Sequence, residues 1–286
     1  MLSLCTLDVH AAFAEDFRIV TWNSTGEQPP RDTTLRDEVN ALNNAYPATP
    51  TRSILNQEAL QAISGAIYNM LNNPAVPPNG LGPNYQRPPQ HTTENLNGTG
   101  RGYNALLANN LTINQGLTLH NYQNDATFTN WVNSLSQAQQ TIVWNEVNRW
   151  RPPVSMGLQT ASGQTVRLMT WHAPLDVSQL LSACPQPAGG APLDAFLFLE
   201  QSSLLNNVAG INIVIIAGEL NMTQGDLQNT CGGLYEPLSN FEGVSSNLDR
   251  ILAWRPVGAN PTFFENRRTP TPGLSPHDIF SARVHW

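Results

Sequence analysis

The sequence contains no lysine, and all fourteen of its basic residues are arginines. At ordinary usage a chain of this length would carry on the order of fifteen lysines. The absence excludes ubiquitin attachment at lysine. A protein that crosses the cytosol of a host cell would gain from this, and drift or codon bias is the alternative explanation.

Charged residues of both signs are scarce. They make up 12% of the chain, with a formal net charge of −7, whereas about 25% charged residues is usual. Non-specific affinity for nucleic acids comes from Lys and Arg that neutralise phosphates, so the composition excludes a general polyanion binder. A phosphate-processing enzyme stays compatible with it if a metal ion and a few local arginines supply the positive charge.

Cysteine is also rare, and no apolar run reaches transmembrane length. Residues 1–14 end in Ala12-Phe13-Ala14, which fits a signal-peptide cleavage pattern, although the apolar stretch is short and lacks a basic start. We interpret residues 1–14 as a signal-peptide remnant, with an ordinary tail as the alternative. Removal of Cys5 with this segment would leave Cys184 and Cys231. That even pair predicts one disulfide in a secreted protein; two separate thiols, or a bond to another chain, are the alternatives.

Apolar residues form 40% of the chain, enough for one domain over 15–286. Period-two patterns and turn residues predict strands at 17–26, 102–110, 151–160, 164–174, 246–254 and 277–286, the last two being the final strands. Helical spacing predicts helices at 35–46 and 192–208, and 126–148 fits either a helix or an irregular insertion. The segment 53–71 starts as a short strand and becomes helix-like or loop-like after Glu58. Residues 72–100 are dense in Pro, Asn and Gly, which predicts a surface loop.

The most apolar run, Ile213 to Ala217, leads into Gly218, Glu219 and Asn221. Alternate side chains of a strand share a face, so Glu219 and Asn221 are expected to point the same way at the end of a buried strand. A carboxylate and an amide there fit a hydrated Mg²⁺ or a phosphate oxygen. When such a pair stands alone, ordinary turn chemistry is the more frequent explanation.

Polar groups also lie at the ends of five other apolar strands. They are Asn23 in "TWN", Glu58 in "NQEA", His172 in "TWHAP", Asp249 in "NLDRI" and His277 in "SPHDIF". A single histidine of this kind is more often structural than catalytic. The ordered set instead predicts that six strand ends converge on one cleft.

This order of motifs resembles the endonuclease/exonuclease/phosphatase superfamily, which includes deoxyribonuclease I-like enzymes. Within it, "DFRIVTWNSTG" and "RGYNALLANN" look most like the B subunit of cytolethal distending toxins. The resemblance implies an α/β fold, a four-layered α/β/β/α sandwich of two mixed β-sheets flanked by helices. It also implies a secreted Mg²⁺- or Mn²⁺-dependent phosphodiesterase that acts on DNA inside a host cell, in the nucleus, after delivery by partner subunits. A phosphoinositide phosphatase on the same fold and a catalytically decayed binding protein are the alternatives.

The resemblance also implies residue roles. Glu58, Glu219 and Asn221 would hold the metal, and Asn23 would orient the phosphate or the metal-bound water. His172 would donate to the phosphate or to the leaving oxygen. Asp249 would orient His277, which would help to activate the attacking water. Arg101 and Arg151 match positions at which the toxin subunits carry arginines that face substrate.

Two residues depart from the family pattern. Glu219 stands where the family has Asp, which moves the charge by about an ångström, and such a displacement can cost about 10²-fold in rate. Pro276 replaces the metal-binding acid of the final motif. Asp278, on the other side of His277, is expected to point elsewhere because of strand alternation.

Overall fold

A computed structural model describes residues 14–25, 30–60, 84–90, 101–174, 193–221, 241–246 and 248–286. The predicted signal segment, apart from Ala14, lies outside these residues, as do all three cysteines and the predicted disulfide. Most of the predicted loop at 72–100 also lies outside them.

The described residues form twelve strands and five α-helices. The strands are β1 (Asp16–Asn23), β2 (Thr51–Leu60), β3 (Tyr85–Gln86), β4 (Arg101–Ala108), β5 (Thr112–Leu119), β6 (Val154–Gln159), β7 (Thr165–Thr170), β8 (Ile213–Glu219), β9 (Glu242–Ser246), β10 (Asp249–Trp254), β11 (Thr262–Thr269) and β12 (Ile279–His285). The helices are α1 (Arg31–Ala45), α2 (Ala126–Asn133), α3 (Gln137–Arg149), α4 (Leu193–Glu200) and α5 (Ser203–Asn206).

The strands form two six-stranded sheets. The first sheet has the order β11-β12-β1-β2-β4-β3, and the second has the order β5-β6-β7-β8-β10-β9. Each sheet is mixed, because β1 and β2 are parallel in the first and β7 and β8 are parallel in the second, whereas the other pairs are antiparallel. This architecture confirms the predicted two-sheet α/β sandwich.

Alternate side chains of a strand pack into different layers of the sandwich. In β1, Phe17 and Ile19 join the large apolar core, whereas Val20 and Trp22 belong to a second cluster together with helix α1. The first sheet is therefore buried on both faces, between the second sheet and α1. On the other side of the molecule, Trp171 directly after β7 packs against Phe196 of α4, with ring centroids 5.2 Å apart.

Several predicted elements differ from the observed ones. The segment 126–148 is two helices, because Ser136 caps α3 through a capping box with Gln139. The predicted amphipathic helix at 192–208 is instead α4 and α5, and residues 195–200 of α4 are buried on every side. Strand β2 continues past Glu58 to Leu60. The prediction of the final strands missed β11, which lies between β10 and β12 and pairs with β12.

No helix among the described residues has the length and apolar character needed to cross a membrane.

Buried side chains tie the two sheets together directly beneath the strand ends that carry the motifs. The Gln57 amide of β2 donates to Thr21 Oγ1 at 2.9 Å and to Thr170 Oγ1 at 2.7 Å. Thr170 ends β7 in the opposite sheet, so this amide links the sheets. Gly218 of β8 allows a further close approach, because a Cβ placed there would lie 2.2 Å from the carbonyl oxygen of Trp171.

Replacement of this glycine provides a stability test. Gly218→Ala should lower the free energy of unfolding by at least about 2 kcal/mol, because its φ of +154° is unfavourable for alanine and the added methyl group overpacks the Trp171 carbonyl. Gly210→Ala is the matched control, with a φ of +75° and open space around the new Cβ. It should cost only about 1 kcal/mol. Equal losses in urea unfolding would show that the close approach is unimportant.

Candidate functional site

The sheet topology brings the motif residues to one end of the sandwich. Strands β1, β2, β7 and β8 all end there, and the antiparallel strands β4, β6, β10 and β12 begin there. Every predicted site residue lies at one of these ends or a few residues beyond it. They are Asn23, Glu58, Arg101, Arg151, His172, Glu219, Asn221, Asp249 and His277.

A β-bulge places Glu58. The register between β2 and β4 shifts between Gln57 and Ala59, and Glu58 has a left-handed φ of +57°. Bulges next to functional sites commonly redirect a side chain. Here Glu58 Oε2 accepts from Arg101 Nη1 at 2.7 Å and Oε1 accepts from Arg151 Nη1 at 3.0 Å.

The two arginines set the charge state of Glu58. Burial would raise the pKa of the Glu58 carboxyl, but the hydrogen bond from Arg151 and the surrounding positive charges outweigh it and hold the pKa below its ordinary value. Glu58 is therefore a carboxylate that is paired on both oxygens.

His172 lies between two carboxylates. Its Nδ1 is 2.9 Å from Arg151 Nη1 and 3.5 Å from Glu58, and its Nε2 is 3.4 Å from Glu219 Oε2. Arginine can only donate, so Nδ1 accepts and the proton of the neutral ring resides on Nε2. Burial lowers the pKa of His172 below its ordinary value, which favours this neutral form.

The Glu219 carboxylate occupies the centre of the site. Its Oε2 accepts from Asn23 Nδ2 at 2.6 Å and lies 3.4 Å from the Nε2 atoms of both His172 and His277. Three groups that the sequence assigns to phosphate or water thus converge on one oxygen of Glu219. Asn23 Nδ2 and the Nε2–H of His172 are donors, and His277 Nε2 joins them when its ring is protonated. A phosphate oxygen has the same charge and acceptor character as this carboxylate oxygen, so the cluster suits an oxyanion.

His277 is oriented by Asp249. Its Nδ1 is 3.4 Å from Asp249 Oδ2, and its backbone N–H donates to Ser275 Oγ at 3.1 Å. Burial would lower the pKa of His277, but Asp249 and Glu219 outweigh it and raise the pKa above its ordinary value. Asp278, on the other side of His277, forms an ion pair with Arg268 of β11.

Asn221 does not obey simple strand alternation. Strand β8 ends at Glu219, and Asn221 has a φ of +53°. Its amide donates to the carbonyl oxygen of Ala173 at 2.7 Å. This bond links the segment after β8 to the segment after His172, so the observed contact of Asn221 positions the backbone.

The sequence does not identify several supporting residues. The Tyr103 hydroxyl accepts from the His172 backbone N–H at 3.2 Å, and Ser275 Oγ donates to the Asn23 carbonyl at 2.7 Å. Ser275 belongs to the "SPHD" motif, so its position was the available signal. Tyr103 shows no local signal, because it reads as one more apolar residue of β4.

The residues present do not fit the predicted Mg²⁺ or Mn²⁺ site. Among the described residues, no three His, Cys, Asp or Glu side chains are grouped to hold a metal ion. Both oxygens of Glu58, the first of the implied ligands, accept hydrogen bonds from arginines. Pro276 supplies no ligand. Mg²⁺ is usually held by one or two carboxylates, and here the implied Glu58 ligand is already paired with two cations.

Comparisons with known proteins identify the fold. No family model matches the sequence, and no curated protein matches it. Among solved structures, the 2′,3′-cyclic phosphatase ANGEL2 aligns with a TM-score of 0.57 and 10% identity, over 95% of this chain and 95% of that chain. An endonuclease/exonuclease/phosphatase family protein from Bacteroides thetaiotaomicron aligns with a TM-score of 0.50 and 9% identity, over 96% of this chain and 98% of that chain.

The chain has the endonuclease/exonuclease/phosphatase fold. The same fold also occurs in Cimex nitrophorin, solved as a ferrous NO complex, which aligns with a TM-score of 0.51 and 9% identity over 95% of this chain and 98% of that chain. At these identities the likeness establishes the fold alone.

The pairing of Glu58 generates a stability prediction. In a double-mutant cycle of Glu58→Gln and Arg151→Gln, the coupling energy should be about 1 kcal/mol or more, because the side chains are only 11% and 25% exposed. The Asp37–Arg36 pair is the control, and the 65% exposure of Asp37 predicts a coupling below about 0.5 kcal/mol. Urea unfolding of the variants measures both energies. Zero coupling at Glu58 would contradict the ion pair.

Proposed function

We propose that the chain hydrolyses phosphoesters, with DNA phosphodiesters as the preferred substrate class. The observation that carries the proposal is the convergence of two histidines, two arginines and the Asn23 amide on one end of this fold. Such a set can bind a phosphate, orient it and exchange protons with it.

The two histidines have different roles, His172 as a hydrogen-bond donor and His277 as a base. Arg151 holds His172 with its proton on Nε2, which makes His172 a donor to a phosphate or leaving oxygen. Asp249 faces Nδ1 of His277 and leaves Nε2 directed at the centre of the pocket. His277 can therefore take a proton from a water molecule that attacks phosphorus.

The Glu219 carboxylate lies at the point where these groups meet. A substrate phosphate must enter beside it or displace it from Asn23 and the histidines. The side chain is one methylene longer than the family's aspartate, so it reaches further between the rings. A rate below that of family members with aspartate is the expected consequence.

We extend the proposal to a toxin-like setting. The absence of lysine, the signal-like residues 1–14 and the likeness of "DFRIVTWNSTG" to toxin B subunits support a secreted protein that partner subunits deliver into a host cell and that acts in the nucleus. The Mg²⁺ or Mn²⁺ requirement implied by the resemblance has no support from the residues present. A phosphoinositide is the alternative substrate.

A second candidate function is binding without catalysis. Two residues favour it. Pro276 replaces an acid that the family resemblance implies as a metal ligand, and Glu58, another implied ligand, is paired with two arginines. In this case the pocket would bind a phosphorylated partner and leave it intact.

Plasmid nicking separates the two functions. The purified chain should nick supercoiled plasmid, and His172→Ala and His277→Ala should each lower the rate at least ~100-fold, the first by removing a hydrogen-bond donor and the second by removing a base. His285→Ala is the matched control, because His285 pairs with Asp16 at the end of β12 remote from the pocket. Parallel arms use Mg²⁺, Mn²⁺ and EDTA, and a phosphoinositide as substrate. Absence of hydrolysis in every arm, or full activity of both histidine variants, would refute the catalytic proposal.

A further inference from the structure

Both oxygens of Glu58 are paired with arginines. Arg101 and Arg151 each donate through Nη1 to a different oxygen of this carboxylate, at 2.7 Å and 3.0 Å. The Glu58 side chain is 11% exposed, so the arginines and not water offset most of its negative charge. A metal ion that bound Glu58 would bring its charge close to both guanidinium groups, and like charges repel.

The cluster carries excess positive charge. Two guanidinium groups face one carboxylate, and the side chains of Arg101 and Arg151 are 36% and 25% exposed. Each guanidinium has five N–H groups. Within the described residues, their Nε and Nη2 groups make no hydrogen bond or ion pair, so donors remain available to a ligand.

The available donors suit a phosphate. The planar arginine fork matches phosphate oxygens in bidentate geometry, and such charge-assisted bonds are among the stronger hydrogen bonds in proteins. The Arg151 guanidinium is also bonded to His172, so an anion held there would lie next to the histidines of the pocket. In phosphoester hydrolysis, a divalent cation supplies positive charge and holds the phosphate in position.

We infer that Arg101 and Arg151 take the place of the divalent cation, and that the pocket binds the phosphate group of its ligand without a metal ion. The inference deepens the proposed function, on which it rests for the choice of a phosphate ligand. Glu58 then acts as a positioning residue that holds both guanidinium groups beside the pocket.

Calorimetry on the metal-free chain tests the inference. Inorganic phosphate and a thymidine dinucleotide should bind in EDTA as tightly as in Mg²⁺, and titration of Mg²⁺ or Mn²⁺ alone should give no binding heat. The double variant Arg101→Gln/Arg151→Gln should lose at least ~10-fold in phosphate affinity. It should also gain measurable Mn²⁺ binding, because it frees Glu58. Arg267→Gln, which removes an arginine paired with Glu38 outside the pocket, should change neither.

The outcomes separate this inference from the proposed function. Mn²⁺ binding by the unaltered chain, or phosphate binding that needs a cation, would overturn the inference while plasmid nicking in Mg²⁺ would still support hydrolysis. Phosphate binding in EDTA without hydrolysis in any arm would support the inference and refute hydrolysis. Circular dichroism verifies folding, and Arg101→Gln alone, at the more exposed arginine, replaces the double variant if that variant unfolds.

Discussion

The pairing of one nearly buried carboxylate with two arginines is the constraint on which the site depends. Glu58 is placed by a β-bulge in a position where burial opposes its charge. A buried charge must be paired or neutralised, and Arg101 and Arg151 pair it. The same arginine that compensates Glu58 fixes the tautomer of His172. Arg151 therefore contributes both to the charge balance of the pocket and to the orientation of His172.

The remainder of the pocket follows from the sandwich. Strand ends from both sheets meet because Gln57 bridges Thr21 and Thr170 beneath them, and because Gly218 lets β8 approach the Trp171 backbone. Next to these contacts, Glu219 accepts a hydrogen bond from the Asn23 amide and lies between the two histidines. The fold hosts both phosphatase and NO-binding proteins, so chemistry in this chain depends on these side chains rather than on the architecture.

Most of the pocket was predictable from sequence because each motif combines a local apolar strand with a polar end. Three features were not predictable. Glu58 adopts a left-handed φ that its residue type does not signal. Its arginine partners are 43 and 93 positions away, where no local pattern records the contact. Strand β11 is an edge strand whose side chains are mostly half-exposed or exposed, so its charged residues obscure the alternation.

Anomalous diffraction from crystals grown in Mn²⁺ would locate any cation bound at Glu58. We expect both guanidinium groups on the Glu58 oxygens and no manganese peak beside that carboxylate. A manganese peak within bonding distance of a Glu58 oxygen, with either arginine swung away, would contradict this expectation.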